Sequence, residues 1–193
     1  MNGYKVIYAD PPWETTAGPT RGPYKVVDGK QAHYTTDNKS RQLPYKTMSV
    51  EEMCAMPISE IAADDAHLYI WTTNGYMPRV FEVIKSWGFT YSTTLVWAKN
   101  GGGLGGSFRI TTEFLLFCRR GKLKSLDTVN GTWFNVKRDY VNGYPKHSKK
   151  PFFFHHLIER VSPGPYLELF ARDRVAGWDA FGNEVDNSIK LYA

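Results

Sequence analysis

Short apolar runs alternate along this chain with amphipathic segments. Tyr4-Lys5-Val6-Ile7-Tyr8-Ala9 is β-branched and aromatic and reads as a short buried strand. Pro11-Pro12 end it, because neither proline can donate to a ladder. Residues 14–47 are rich in Gly, Pro, Thr, Lys and Tyr, have no periodicity and read as a long loop, a feature more often functional than not. Ser49 with Glu52 three positions on forms a capping box that predicts a helix over Val50–Met56, stopped by Pro57. A second short helix is expected over Ser59–Ala63. His67–Trp71 reads as a strand, and the apolar positions 77, 80, 81, 84 and 87 mark a helical face closed by Gly88. Further strands are expected over Phe89–Trp97, Phe108–Arg119 and Tyr166–Ala171, with a helix over Phe152–Val161. Strands alternating with helices predict an α/β layer sandwich with a mainly parallel sheet, built as one domain over 1–193.

Composition narrows the picture little. Aromatic residues reach 15%, enough for stacking surfaces as well as a core. No apolar stretch approaches the roughly 18 residues of a membrane span. The early strand leaves no room for a secretory signal, so a cytoplasmic, membrane-free protein is expected. Cys54 and Cys118 lack metal or disulfide spacing. Charge is more telling. Residues 1–100 balance ten Lys/Arg against ten Asp/Glu, whereas 109–150 hold ten basic residues against Glu113, Asp127 and Asp139. Such a segment suits phosphates, and equally a solvated positive face.

The candidate chemistry starts at Asp10-Pro11-Pro12-Trp13, at a predicted strand end, where open α/β sheets bind ligands. The turn offers a carboxylate, an aromatic ring and two proline carbonyls expected to have no competing N–H. A flat ring bearing an amine, adenine or cytosine, matches that set, with Trp13 stacking on the base. A rigid strand-to-loop turn is the alternative. Gly101, Gly103 and Gly106 satisfy G-x-G-x-x-G, but β-like residues follow instead of a helix, so a dinucleotide site is not expected. His155-His156 cannot share a helical face, which disfavours a metal site.

The Asp10–Trp13 motif resembles that of amino-methyltransferases, its Trp ending being typical of adenine-N6 enzymes. Further segments resemble the MT-A family, named for the adenosine-methyltransferase subunit of messenger-RNA methylation. They run in family order: Leu68–Asn74, Val96–Lys99, Arg109 with Glu113 and Arg120-Gly121, His147–Pro151, Glu159–Gly164, Leu167–Arg172, and Gly177-Trp178 through Glu184. The resemblance implies a Rossmann-like methyltransferase dependent on S-adenosylmethionine (SAM), with helices on both sheet faces and the catalytic motif before the cofactor motif. It implies catalysis by Asp10, Pro11, Pro12 and Trp13, with Asp10, Lys150, Glu168, Phe170, Arg172, Asn183 and Glu184 at the cofactor. Taken singly, an acid at a strand end also caps helices, and Arg172 also suits a surface ion pair.

Substrate contacts are expected from Trp13, Tyr45, Lys99 and Arg109, with loops 14–47 and 100–150 facing the nucleic acid. No metal is expected. DNA is favoured over RNA because the chain carries nothing matching the extra domains of larger eukaryotic members. Association with a second copy or a partner subunit would add recognition surface. A non-catalytic nucleic-acid-binding subunit is the competing class, although such partners typically lose the carboxylate retained here as Asp10.

Overall fold

The computed structural model describes residues 3–14, 21–27, 30–35, 46–99, 107–137, 140–141, 144–145 and 149–191. In chain order the elements are β1 (Tyr4–Ala9), β2 (Arg21–Val27), β3 (Lys30–Thr35), α1 (Val50–Cys54), α2 (Ile58–Ile61), β4 (Ala62–Thr72) and α3 (Val80–Ser86). They continue with β5 (Thr90–Ala98), β6 (Thr112–Arg120), β7 (Trp133–Phe134), β8 (Tyr140–Val141), β9 (Tyr144–Pro145), α4 (Phe153–Val161), β10 (Tyr166–Leu169) and β11 (Trp178–Phe181).

Seven strands form one sheet in the order β11-β10-β1-β4-β6-β5-β7. The pairs β11/β10, β10/β1, β1/β4 and β5/β7 are parallel, and only β6 runs against its neighbours. The expected mainly parallel sheet is therefore present, with one reversed strand.

Alternation along β1 divides the core between two layers. Ile7 and Ala9 point to the face covered by Val50 and Met53 of α1, Ile58 of α2 and Val80, Val83 and Ile84 of α3. Val6 and Tyr8 point to the other face, against Phe154, Leu157 and Ile158 of α4 and the rings of Trp71, Trp97 and Trp178. Helices thus cover both faces, as expected.

Local signals explain most boundaries. Ser49 Oγ accepts from the Glu52 amide at 3.1 Å while Glu52 Oε2 accepts from the Ser49 amide at 2.8 Å, so the capping box is formed. Gly88, at φ +80, takes the left-handed turn after α3 that a side chain would resist. The reading of 14–47 as loop throughout is corrected, because β2 and β3 pair as an antiparallel hairpin inside it. Residues 122–150, read as irregular, contain β7 and the β8/β9 pair. β11 also went unpredicted.

The chain leaves β1 toward β4 on one side and returns to β10 on the other. This switch point opens a crevice beyond the carboxyl ends of β1 and β10.

Candidate active site

Asp10 follows β1 directly and enters the switch-point crevice. The turn after it is held more tightly than the sequence suggested. Pro11 O accepts from the Trp13 amide at 2.9 Å, and Pro12 O accepts from the Met48 amide at 3.0 Å. The expectation of uncontested proline carbonyls is thereby corrected: Pro12 anchors the turn to the segment before α1, and Pro11 keeps only its second lone pair for a ligand.

Trp13 also differs from expectation. It is 6% exposed, donates Nε1–H to Trp71 O at 3.0 Å and stacks on Tyr76 with ring centroids 4.9 Å apart. A ring so enclosed supports the motif from behind and presents no open face to a base. Tyr45 lies outside the described residues, as do His147 and the glycines of 100–106. The strand expected from Phe108 begins only at Thr112, and Ser107–Thr111 before it are irregular. Arg109 lies exposed just before β6.

Four charges of alternating sign run inward from Asp10. Lys150 Nζ donates to Asp10 Oδ1 at 2.6 Å and Oδ2 at 2.7 Å, and lies 3.3 Å from Glu113 Oε2. Glu113 in turn pairs with Lys99. Register explains the second link, because Glu113 on β6 pairs with Trp97 on β5, two positions before Lys99. The side chains are 23% (Asp10), 11% (Lys150), 20% (Glu113) and 15% (Lys99) exposed. Lys99, expected to meet substrate, is thus committed to this chain. Trp71 and Trp97 lie beneath the two ammonium groups, with Nζ to ring-centroid distances of 5.3 and 5.5 Å.

Burial pushes the Asp10 carboxyl above its ordinary value, more than Lys150 draws it down. Burial acts on Glu113 in the same sense, but Lys150 and Lys99 outweigh it and hold its carboxyl low. Burial opposes the Lys150 charge, yet Asp10 and Glu113 raise its value overall.

A cleft opens beside this chain of charges. Asp10, Lys150, Glu168, Phe170 and Arg172 all line it, so five of the residues assigned to the cofactor meet in one place. Asn183 and Glu184 lie outside that lining and are exposed, with Glu184 joined to the cleft by an ion pair of 3.8 Å to Arg172. Phe170 sits at φ +61, a left-handed conformation that bends the backbone after β10 without a glycine. Gly182 makes that bend possible from the other side: a Cβ there would stand 2.1 Å from Ala171 O.

Tyr8, Lys149, Phe152, His155 and Asp173 also line the cleft and were not singled out from sequence as its residues. Tyr8 and Phe152 flank predicted site residues, a proximity that could have marked them. His155 Nε2 lies 2.8 Å from Glu168 Oε2, and Lys149 pairs with Asp173 at 2.7 Å. Among the described residues, no group of three or more His, Cys, Asp or Glu side chains could hold a metal ion. No helix among them is long and apolar enough to cross a membrane.

A largely parallel sheet with one reversed strand and helices on both faces has the Rossmann-like methyltransferase architecture of the family that the chain matches. The chain belongs to the MT-A70 family of adenine-N6 methyltransferases, whose model matches residues 4–184. It is 33% identical to the Type II methyltransferase M.MunI of Mycoplasma sp, over 97% of this chain and 81% of that protein. It is 25% identical to the N(6)-adenosine-methyltransferase MT-A70-like protein of Drosophila melanogaster, over 96% of this chain and 28% of that protein. It is 28% identical to the human N(6)-adenine-specific methyltransferase METTL4, over 94% of this chain and 37% of that protein. The chain thus spans most of the Mycoplasma relative and about a third of the two animal ones.

Proposed function

We propose that this protein transfers a methyl group from SAM to the N6 amine of adenine in DNA, with Asp10 as the catalytic carboxylate. The observation that carries the reading is the placement of Asp10 at the switch point, sharing one cleft with Lys150, Glu168, Phe170 and Arg172. The preference for DNA is supported by the match to a Type II methyltransferase, higher in identity and fuller in coverage than the matches to the two animal proteins.

The chemistry of the cleft fits the cofactor. Lys150 and Arg172 are cations suited to a carboxylate, Glu168 is an acceptor suited to ribose hydroxyls, and Phe152 and Phe170 offer apolar surface to a purine. Asn183 and Glu184 would close the site from the rim beside Arg172. Bound there, SAM would supply an electrophilic methyl group on a sulfonium.

The chain's own residues do the rest. Asp10, accepting a hydrogen of the adenine amine, draws the nitrogen away from planarity and localises its lone pair. The carboxylate then stabilises positive charge developing on that nitrogen. Pro11 O, with one lone pair left, is suited to the second amine hydrogen. Each Asp10 oxygen accepts one bond from Lys150 and keeps a further lone pair for the amine hydrogen. Glu113, the second anion facing Lys150, shares that ammonium with Asp10. The basic segment that includes Arg109 is suited to phosphates. A base in a duplex would have to be extruded to reach Asp10.

The test is incubation with radiolabelled SAM and matched single-stranded DNA, duplex DNA and RNA, followed by digestion to nucleosides. Label in N6-methyldeoxyadenosine, lost in Asp10→Ala, is the expected result. Label in RNA adenosine would transfer the reading to that polymer. An Asp10→Ala variant with full activity would overturn the mechanism.

A further inference from the structure

Within the cleft, His155 makes one side-chain hydrogen bond through one ring nitrogen and buries the other. Its Nδ1 is buried and has no hydrogen-bond partner among the described residues, while Nε2 lies 2.8 Å from Glu168 Oε2. A proton on Nδ1 would be a buried donor without an acceptor, which is costly. The ring therefore directs its Nε2–H at the carboxylate.

The ring cannot easily turn away from this contact. Phe152 stacks on it at 5.2 Å, and Tyr8 and Trp178 meet it edge-on at 4.9 and 5.1 Å. Three aromatic neighbours from α4's approach, β1 and β11 thus fix the direction of the Nε2–H bond. Glu168 itself stands on β10 between Tyr8 and Ala180 in the sheet register, so its backbone is fixed as well.

We propose that His155 is a positioning residue for Glu168: by holding Oε2 it fixes the carboxylate rotamer and presents Oε1 to the ribose hydroxyls of the cofactor. The proposal rests on the reading of the cleft as the SAM site. It assigns His155 a role in cofactor affinity and none in the methyl-transfer step.

The test titrates S-adenosylhomocysteine into the purified protein by calorimetry, with thermal unfolding confirming that each variant is folded. His155→Phe keeps the packed ring and removes the donor, whereas His155→Gln keeps an N–H near the Nε2 position. A charge-assisted hydrogen bond predicts that His155→Phe weakens binding roughly ten- to a hundredfold. His155→Gln should restore most of the affinity, and His155→Phe should add little to the loss already caused by Glu168→Gln. Imidazole ¹⁵N shifts of the ligand-free protein should report a proton on Nε2, displaced in Glu168→Gln.

A folded His155→Phe that binds as the wild type does would overturn the proposal. So would losses that simply add in the double variant, or an Nε2 found to carry no proton. If the wild type fails to bind S-adenosylhomocysteine, or Glu168→Gln binds it unchanged, the cofactor reading falls and the proposal with it. If Glu168→Gln weakens binding and His155→Phe does not, the role of His155 alone is refuted.

Discussion

Glu113 is the link in the charge chain whose removal is most informative, because it stands between two lysines and touches no expected ligand. It makes one ionic contact of 3.3 Å to Lys150 and a closer one to Lys99, all three side chains being largely buried. Each charge-assisted contact is worth roughly 1.5–3 kcal/mol, and the Gln of Glu113→Gln would keep one neutral acceptor. The expected loss at pH 7 is therefore about 2–4 kcal/mol, a large share of a typical total of roughly 5–15 kcal/mol.

The pH dependence gives a second handle. The folded-state value of Glu113 is depressed, so its stabilisation is complete above the unfolded value and disappears as pH falls through the folded one. Urea unfolding of wild type and Glu113→Gln should show a constant gap from pH 7 to 5, narrowing below about pH 4.5. Methyl transfer should also slow, because Lys150 loses its second carboxylate and holds Asp10 more closely. Equal stability at pH 7, or a gap that widens on acidification, would refute the placement of an ionised Glu113 between the two lysines.

Three further outcomes are expected. Burial raises the Asp10 carboxyl, so the acid limb of the kcat/KM profile should lie above the ordinary aspartate range, and a limb at or below that range would contradict it. Trp13→Phe, losing the bond to Trp71 O, should lower unfolding free energy by about 1–3 kcal/mol while leaving KM for nucleic acid nearly unchanged; a tenfold rise in KM with unchanged stability would restore base stacking to this ring. Gly182→Ala should cost ~3 kcal/mol or more and abolish the melting-temperature shift given by S-adenosylhomocysteine, since its Cβ would collide with Ala171 O. Wild-type melting and ligand response would rule that collision out.

The elements that position the site were legible where burial imposed a simple pattern. β1 and β10 are fully apolar on at least one face, so Asp10 could be placed at a strand end, whereas the roles of Glu168, Phe170 and Arg172 came from the family resemblance. The β2/β3 hairpin was missed because Gly22 and Pro23 break the alternation of its first strand, although Asp28-Gly29 is a turn signal between two strand-like runs. The reversed direction of β6 has no local signature, as side-chain alternation is the same either way.

Within the candidate site, the burial of Trp13 and the pairing of Lys99 with Glu113 depend on cross-strand register and on contacts with distant segments. No residue spacing encodes them. His155 was weighed only as a possible metal ligand beside His156, whereas its partner Glu168 lies on another element. The positive φ of Phe170 lies opposite a close approach supplied by Gly182 on the facing turn, a pairing that no local spacing encodes.

The pairing of β1 with β10 sets when this protein can first work. Ala9 pairs with Leu169, 160 positions further along the chain. On a ribosome adding roughly 5–20 residues per second, β1 would wait roughly 8–30 s for that neighbour. Throughout that interval one edge of the strand bearing Asp10 is unpaired, open to chaperones and to the wrong partner alike. The nascent chain consequently has no complete cleft until β10 has emerged, and the site is assembled in one step rather than growing with chain length.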